Sequence, residues 1–434
     1  MSVLEHPTAQ ALLEQATVSP QQIAALAGRL DDFLRCYGPC FYRQEHRDNA
    51  ALVLRGKLSG LERKTSEPIA IQAGVHRKPV QTFVGGGKWD DEAVNAELRR
   101  HVAQEWADPQ AVLTLDGSGF AKKGDHSCGV QRQWCGRLGK VENCQVGLFL
   151  GYACRWGHVL VDRRLFLPKE WVSDAARRKE THVPKGTRYR AHWQIALDLL
   201  RRSSKGLPHA WVTADSELGR SSVLRARLRR RGERYLVEVP ADTNVRDLDA
   251  PVTGRRKAPF VRVDRWAQAQ PAERWRRFHV RDGEKGPVAV EVLTARVQAR
   301  HRGRVGPEER LAVLREPGGR GDTWYKLSNA PASLAVQELV RAHGEHHRVE
   351  QLLEEGKGEV GLGQYEVRSW VGWHHHMTLS LLALWFVAFE RQRQGEKKPG
   401  SDGVAGAAGV HAAAAAAAAE SAADRRGGQP RAAA

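Results

Sequence analysis

Two stretches share one design, and they restrict the fold more than any other feature of the chain. Val112-Leu113-Thr114-Leu115 leads into Asp116, and Gly117 and Gly119 follow before Phe120. Apolar and β-branched residues before an acid and two glycines read as a buried strand that ends on a carboxylate. Ala210-Trp211-Val212-Thr213-Ala214 leads in the same way into Asp215. In open α/β sheets ligands sit beyond strand ends, so acids placed there face a crevice and suit a metal or a proton. Lys122 and Lys123, just past the first strand, suit a phosphate. With Glu350 on a later helix, three acids come from three elements, as a two-metal phosphoryl-transfer site requires.

The elements around these acids have a definite order. Ser19-Pro20-Gln21-Gln22 starts a helix over about Pro20 to Leu34, with Ser19 as N-cap. A second helix is expected over about Glu45 to Lys64, then a short one from Pro68 to Gly74, a turn, and another from Pro79 to Val84. That pair fits a helix-turn-helix able to enter a major groove, and equally a small bundle with no DNA contact. A helix from Asp90 to Trp106 precedes the first strand. After Asp116 come two β-rich segments, Gln145 to Cys154 and His158 to Phe166, a helix from Tyr189 to Arg202, and the strand ending in Asp215. A helix from Leu218 to Arg231 and a strand from Arg234 to Val239 follow. An antiparallel meander followed by βα units, with acids on the first and fourth strands, matches an α/β, ribonuclease-H-like core with a mixed sheet.

From about Pro240 to Gly321 short β-type runs (Phe260 to Val263, Val288 to Val297, Leu311 to Leu314) alternate with Gly, Pro and charge, which marks a β-rich insertion. Its Trp266 and Trp275, with Trp324 beyond, either stack on unpaired bases or fill the core of a small sheet. A strand from Thr323 to Leu327 and a helix from Ser333 to His343 return to the main fold. On this reading the chain divides into a helical N-terminal domain (1–108, a candidate for DNA binding), a first core part (109–239), the insertion (240–321), a second core part (322–395) and an Ala/Gly-rich tail (396–434).

The helix around Glu350 carries Val349, Leu352 and Leu353 on a buried stripe, and Glu350, Glu354 and Lys357 follow on an adjacent face. Helical periodicity does not choose between Glu350 and Glu354. Glu350 lies inside the apolar stripe, whereas Glu354 lies nearer Gly356 and Gly358, where a helix is expected to fray. His374-His375-His376 point around a helix rather than together, so they are expected at the surface or on backbone groups. Leu379 to Phe389 is apolar all round and belongs in the core.

Composition narrows the partner. Lys and Arg number 68 against 50 Asp and Glu, a net charge of +18, which points to a polyanion and first to nucleic acid. Six cysteines without a CxxC pair read as reduced thiols, and no leader or membrane-spanning run is apparent, so a cytoplasmic, nucleoid-associated protein without a membrane role is expected.

The residues Leu115 to Gly124, Gly139 to Gly147, Thr213 to Ser216, Gly356 to Leu362, Tyr365 to Trp370 and Gly372 to His374 resemble those of bacterial insertion-sequence transposases with an Asp-Asp-Glu triad. The resemblance runs from about Arg35 to Lys398 and is closest to the group numbered seven-zero-one, near the group numbered four. It implies that Asp116, Asp215 and Glu350 form the triad, with Lys357 seven residues after the glutamate as a DNA-contacting base. The wider family has a tyrosine and an arginine seven and four residues before that glutamate, where this chain has His343 and His346; His347 replaces an expected tryptophan, and Arg348 is a nearby substitute cation.

The function expected is that of a DNA transposase, cutting and joining strands with two Mg²⁺ ions for which Mn²⁺ is able to substitute. The three acids would be its metal ligands and catalytic residues, and Lys122, Lys123, Arg348 and Lys357 would hold phosphates of double-stranded DNA. A homodimer is expected in the DNA complex. An inactive DNA-binding derivative and a structure-selective nuclease on the same fold are the alternatives. The tail has almost no large apolar residue to bury, so truncation after Lys398 is expected to shift the melting temperature by no more than a few degrees. A large loss on calorimetric melting would show that it docks.

Overall fold

The computed structural model describes residues 20–251, 257–283, 286–301, 303–319 and 321–393; Ser19 and the Ala/Gly-rich tail lie outside them. Among the described residues five α-helices come first: α1 (Pro20–Tyr37), α2 (Gln44–Leu58), α3 (Ser66–Gln72), α4 (Arg77–Gly86) and α5 (Asp91–Trp106). α5 starts where Asp90 caps it, its carboxylate accepting from the N–H groups of Glu92 and Ala93. α2 stops six residues before the expected end, because the Ser59 hydroxyl takes a carbonyl of its last turn, Gly56 O, and Gly60 follows.

The strands are β1 (Val112–Ala121), β2 (Gln131–Cys135), β3 (Lys140–Cys154) and β4 (Gly157–Leu165). Short helices α6 (Lys169–Ser173) and α7 (Ala175–Glu180) lead to α8 (His192–Ser203), β5 (Trp211–Ala214), α9 (Ser216–Gly219), α10 (Ser222–Arg230) and β6 (Tyr235–Glu238). β1 pairs antiparallel with β3 on one edge and parallel with β5 on the other, and β4 and β6 extend the sheet, which gives the ribonuclease-H-like order β4-β3-β1-β5-β6. Neither β2 nor the helices of residues 169–180 was expected.

The insertion is β-rich, as expected. It supplies β7 (Asn244–Asp247), β8 (Val261–Arg262), a short helix α11 (Val263–Gln268), β9 (Arg276–Gly283), β10 (Gly286–His301) and β11 (Arg304–Arg315). It does not stand apart: β12 (Thr323–Ser328) pairs with both β6 and β11, so insertion and core share one 12-stranded sheet. Trp266 is buried beneath that sheet and donates to Asp247 Oδ2 at 3.0 Å, which favours a core role over base stacking.

Two long helices close the fold, α12 (Val336–Glu359) and α13 (Trp370–Arg393). α12 is one helix where a separate segment ending at His343 was expected, and it does not fray at Gly356 and Gly358. Tertiary contact holds it: a Cβ on Gly356 would lie 3.0 Å from Leu384 of α13, so the helices touch through that glycine. α13 is buried nearly all round, and α2, α4 and α5 pack against it. Its three histidines are buried, not at the surface; each meets a backbone carbonyl, those of Trp370, Trp89 and Leu362.

Both long helices sit on one face of the sheet because glycines of β3 admit them. A Cβ on Gly151 would fall 2.6 Å from Val349 of α12, and one on Gly147 2.7 Å from Trp373 of α13. Gly151 is opposite Thr114 and Phe149 opposite Asp116, so the face under α12 is the face on which Asp116 projects. Gly151→Ala is therefore expected to cost ~1–3 kcal/mol by overpacking, read from denaturant unfolding. A variant as stable as the parent would mean that α12 is not seated there.

Candidate active site

The first acid is not at a strand end in the sense expected. β1 runs on through Gly117 and Gly119 to Ala121, held by β3, whose 15 residues outlast it. The parallel partner β5 is the strand that stops, with Leu115 opposite Ala214 as the last pair. Asp116 and Asp215 are the next residues on the two chains, so they adjoin at the point where β5 ends. The same level of the sheet continues through Val237 of β6 and Leu327 of β12, and one residue further on stand Glu238 and Lys326, which pair with each other. Asp116, Asp215, Glu238 and Lys326 thus form a transverse row, since residues in register on neighbouring strands share a face. Thr114 and Thr213 tie the row one step back, their hydroxyls 2.8 Å apart.

Local backbone groups orient the two aspartates. Asp116 Oδ1 accepts from its neighbour Gly117 N–H at 2.7 Å, and Asp215 Oδ1 caps α9 by accepting from Leu218 N–H at 2.9 Å. Each is left with its second oxygen. Burial holds the Asp116 carboxyl well above the usual range, and the charges of Asp215 and Glu350 push it further. Burial likewise lifts Asp215 to about 7, with Glu217 and Glu238 adding to the rise against the Leu218 hydrogen bond.

Glu350 comes from α12, half-exposed above this row. Its Oε2 is 3.0 Å from His347 Nδ1 and its Oε1 is 3.4 Å from His346 Nε2. Although burial opposes it, these histidines hold the Glu350 carboxyl far below the carboxylate range. His343 and His347 also pack against Trp324 of β12, with ring centroids 4.9 and 5.2 Å away, so the residues that depart from the wider family form an aromatic cluster beside the acid.

The four basic residues separate. Lys357 shares the face of Glu350 and contributes its charge near Asp116, while its Nζ is 2.6 Å from Glu354 Oε1. Lys123 is exposed. Lys122 turns inward, its ammonium 3.3 Å from the centre of the Tyr365 ring and donating to Tyr365 O. Arg348 is not brought to the acids: two residues on a helix are about 200° apart, and it pairs with Glu345 at 3.2 Å. Glu238 and Lys326 were not anticipated. Lys326 is fully buried, 3.3 Å from Glu238, and lies within the fields of Glu350 and Asp215. The run Tyr235-Leu236-Val237 before Glu238 repeats the apolar approach to Asp116 and Asp215 and was the signal available.

A mixed sheet in this order, with two aspartates where β1 and β5 part and a helix bringing a glutamate over them, defines a ribonuclease-H-like nuclease core. A family model described as DDE superfamily endonuclease matches residues 36–287, more than half of the chain, and the chain belongs to that family. It is also 23% identical over 362 residues to a probable transposase for insertion sequence element IS701 from Microchaete diplosiphon, a match covering 81% of this chain and 84% of that protein. Nucleases of this superfamily bind DNA and use divalent metal ions. Among the described residues no helix is long and apolar enough to cross a membrane.

The residues present fit such an ion by donor chemistry: oxygen donors suit a hard cation, and the clustered carboxylates repel one another without one. Among the described residues no three acid, histidine or cysteine side chains already converge as a closed cage, and Glu350 is turned onto its histidines. The raised carboxyls have a measurable consequence. An acid whose folded pKa is raised favours the fold when protonated, so the metal-free protein is expected to lose stability as pH rises from 3.8 towards about 7, the span of Asp215. Asp215→Asn should flatten that loss in thermal melts. Mg²⁺ should raise the melting temperature at neutral pH in the parent but not in Asp116→Asn; equal shifts would show that these carboxylates hold no cation.

Proposed function

We propose that this chain is a DNA transposase that cleaves phosphodiester bonds at the ends of an insertion sequence and transfers the freed strand to target DNA, acting as a dimer on the DNA. The observation that carries this reading is the placement of Asp116 and Asp215 side by side where β5 ends, with Glu350 of α12 over them, in a chain of the DDE endonuclease family. Similarity to a probable transposase along most of both chains supports transposition over simple nuclease action.

Asp116, Asp215 and Glu350 would hold two divalent ions, Mg²⁺ with Mn²⁺ able to substitute. When bound, such ions supply Lewis-acid activation of a water or 3′-hydroxyl and charge stabilisation of the leaving oxygen. The chain's own contribution is position. Gly117 N–H and Leu218 N–H each fix one oxygen of an aspartate and leave the other free for a cation. His346 and His347 keep Glu350 ionised, and the acid must leave them to join the aspartates. Lys326, buried and paired with Glu238, offsets part of the negative charge of the row. Lys357 and the exposed Lys123 are the bases suited to hold DNA phosphates; Lys357 would exchange Glu354 for one.

Asp116→Asn, Asp215→Asn and Glu350→Gln are each expected to reduce Mg²⁺-dependent cutting of end-containing DNA by several orders of magnitude, with retention of that DNA in Ca²⁺ gel shifts. Glu354→Gln, which removes only the partner of Lys357, is expected to lose far less. Near-parental cutting by any of the first three, or the reverse ranking of the two glutamates, would overturn the assignment. Cutting without joining would identify a nuclease.

A further inference from the structure

Away from the acids, where α2, α3 and α4 meet the segment after α12, lies a cavity of about 220 Å³. Lys57, Lys64, Thr65, Gln81, His376 and one acid, Glu366, are among its lining residues. Lys57 and Lys64 are 2% and 4% exposed, so two ammonium groups sit inside the protein. Their partners are neutral: Lys57 Nζ donates to Ser380 Oγ at 2.8 Å and to Val360 O at 3.4 Å, and Lys64 Nζ donates to the carbonyls of Lys57 and Ser59. An ammonium has three donors, so each lysine keeps one.

The nearby acids are already engaged. Glu359 pairs with Arg391, and Glu366 of the cavity wall with Arg63, while the charge of Lys122 adds to that of Lys57 at His376. Burial, and the neighbouring Lys64 charge, push Lys57 down to about 7; burial pushes Lys64 down to about 8, opposed by Glu359. Thr65 gives an independent indication: it is 7% exposed, and its hydroxyl has no hydrogen-bond partner. Buried cations whose direct partners are all neutral and a buried hydroxyl without a partner are both costly. One ligand would relieve both.

We propose that this cavity binds an oxyanion of the phosphate class, held by Lys57, Lys64 and the Thr65 hydroxyl. Several donors lining one space larger than a monatomic ion favour an anion with several oxygens. The phosphate is either a free anion or a backbone phosphate of DNA, since the exposed Gln81 of α4 stands at the rim. The site is separate from the carboxylate row, so its test does not depend on cleavage.

Sulfate is the direct probe, because it does not titrate near neutrality and any pH effect reports the protein. Calorimetric titration of the full chain with sulfate, at ionic strength held constant with chloride, is expected to show one saturable site. Thr65→Val, which keeps the shape, and Lys64→Gln should each weaken it about ten-fold or more. Raising the pH from about 7 to about 9.5 should weaken it similarly as the lysines lose their protons. Duplex binding then separates the sources: a comparable loss in both variants, with sulfate competing, assigns the site to a DNA phosphate, and unchanged duplex affinity assigns it to a free anion. Absence of saturable sulfate binding in the parent, or equal binding by the folded variants, would overturn the proposal.

Discussion

Crowding of carboxylates on one face of a sheet is the constraint on which the rest of this structure depends. Asp116 and Asp215 adjoin because β5 ends one residue before the level that β1 continues past, and the row runs on to Glu238. Like charges so placed in a low-dielectric interior oppose folding unless something positive answers them. Part of the answer is in the chain: Lys326 closes the row, and Lys357 of α12 adds its charge from a distance. The remainder is what the proposed divalent ions would answer.

The same face must also admit α12 and α13 closely, and β3 permits it by carrying glycine at 147 and 151 under Trp373 and Val349. Helix seating and acid placement are therefore one problem. Val349 locks into the sheet one residue before Glu350, so a shift of the helix moves the acid with it. His343 and His347 fill the same seam against Trp324, and His346 and His347 hold Glu350 charged but turned aside.

Much of this was legible in the sequence where the signal is local. An apolar run entering an acid located Asp116 and Asp215, and the order of strands and helices identified the core. Non-local features were harder. β1 was expected to end at Asp116 because two glycines follow, but pairing with the long β3 overrides their local preference. α12 was expected to fray at Gly356, but Leu384 packs on that glycine and holds the turn. Glu238 and Lys326 stand 88 residues apart in sequence, and nothing in either segment names the other. The triple histidine was expected either at the surface or on backbone groups; acceptors at Trp370, Trp89 and Leu362 decide for the backbone and make burial possible.

On the function proposed, Asp116, Asp215 and Glu350 together hold divalent metal, with the Glu350 side chain swung from its histidines to the acid row. Anomalous diffraction from crystals grown with Mn²⁺ and end-containing DNA measures this directly. Manganese peaks are expected between Asp116 and Asp215, with Glu350 released from His347 to reach the metal. Manganese bound elsewhere, or an empty row with Glu350 still on its histidines, would contradict it.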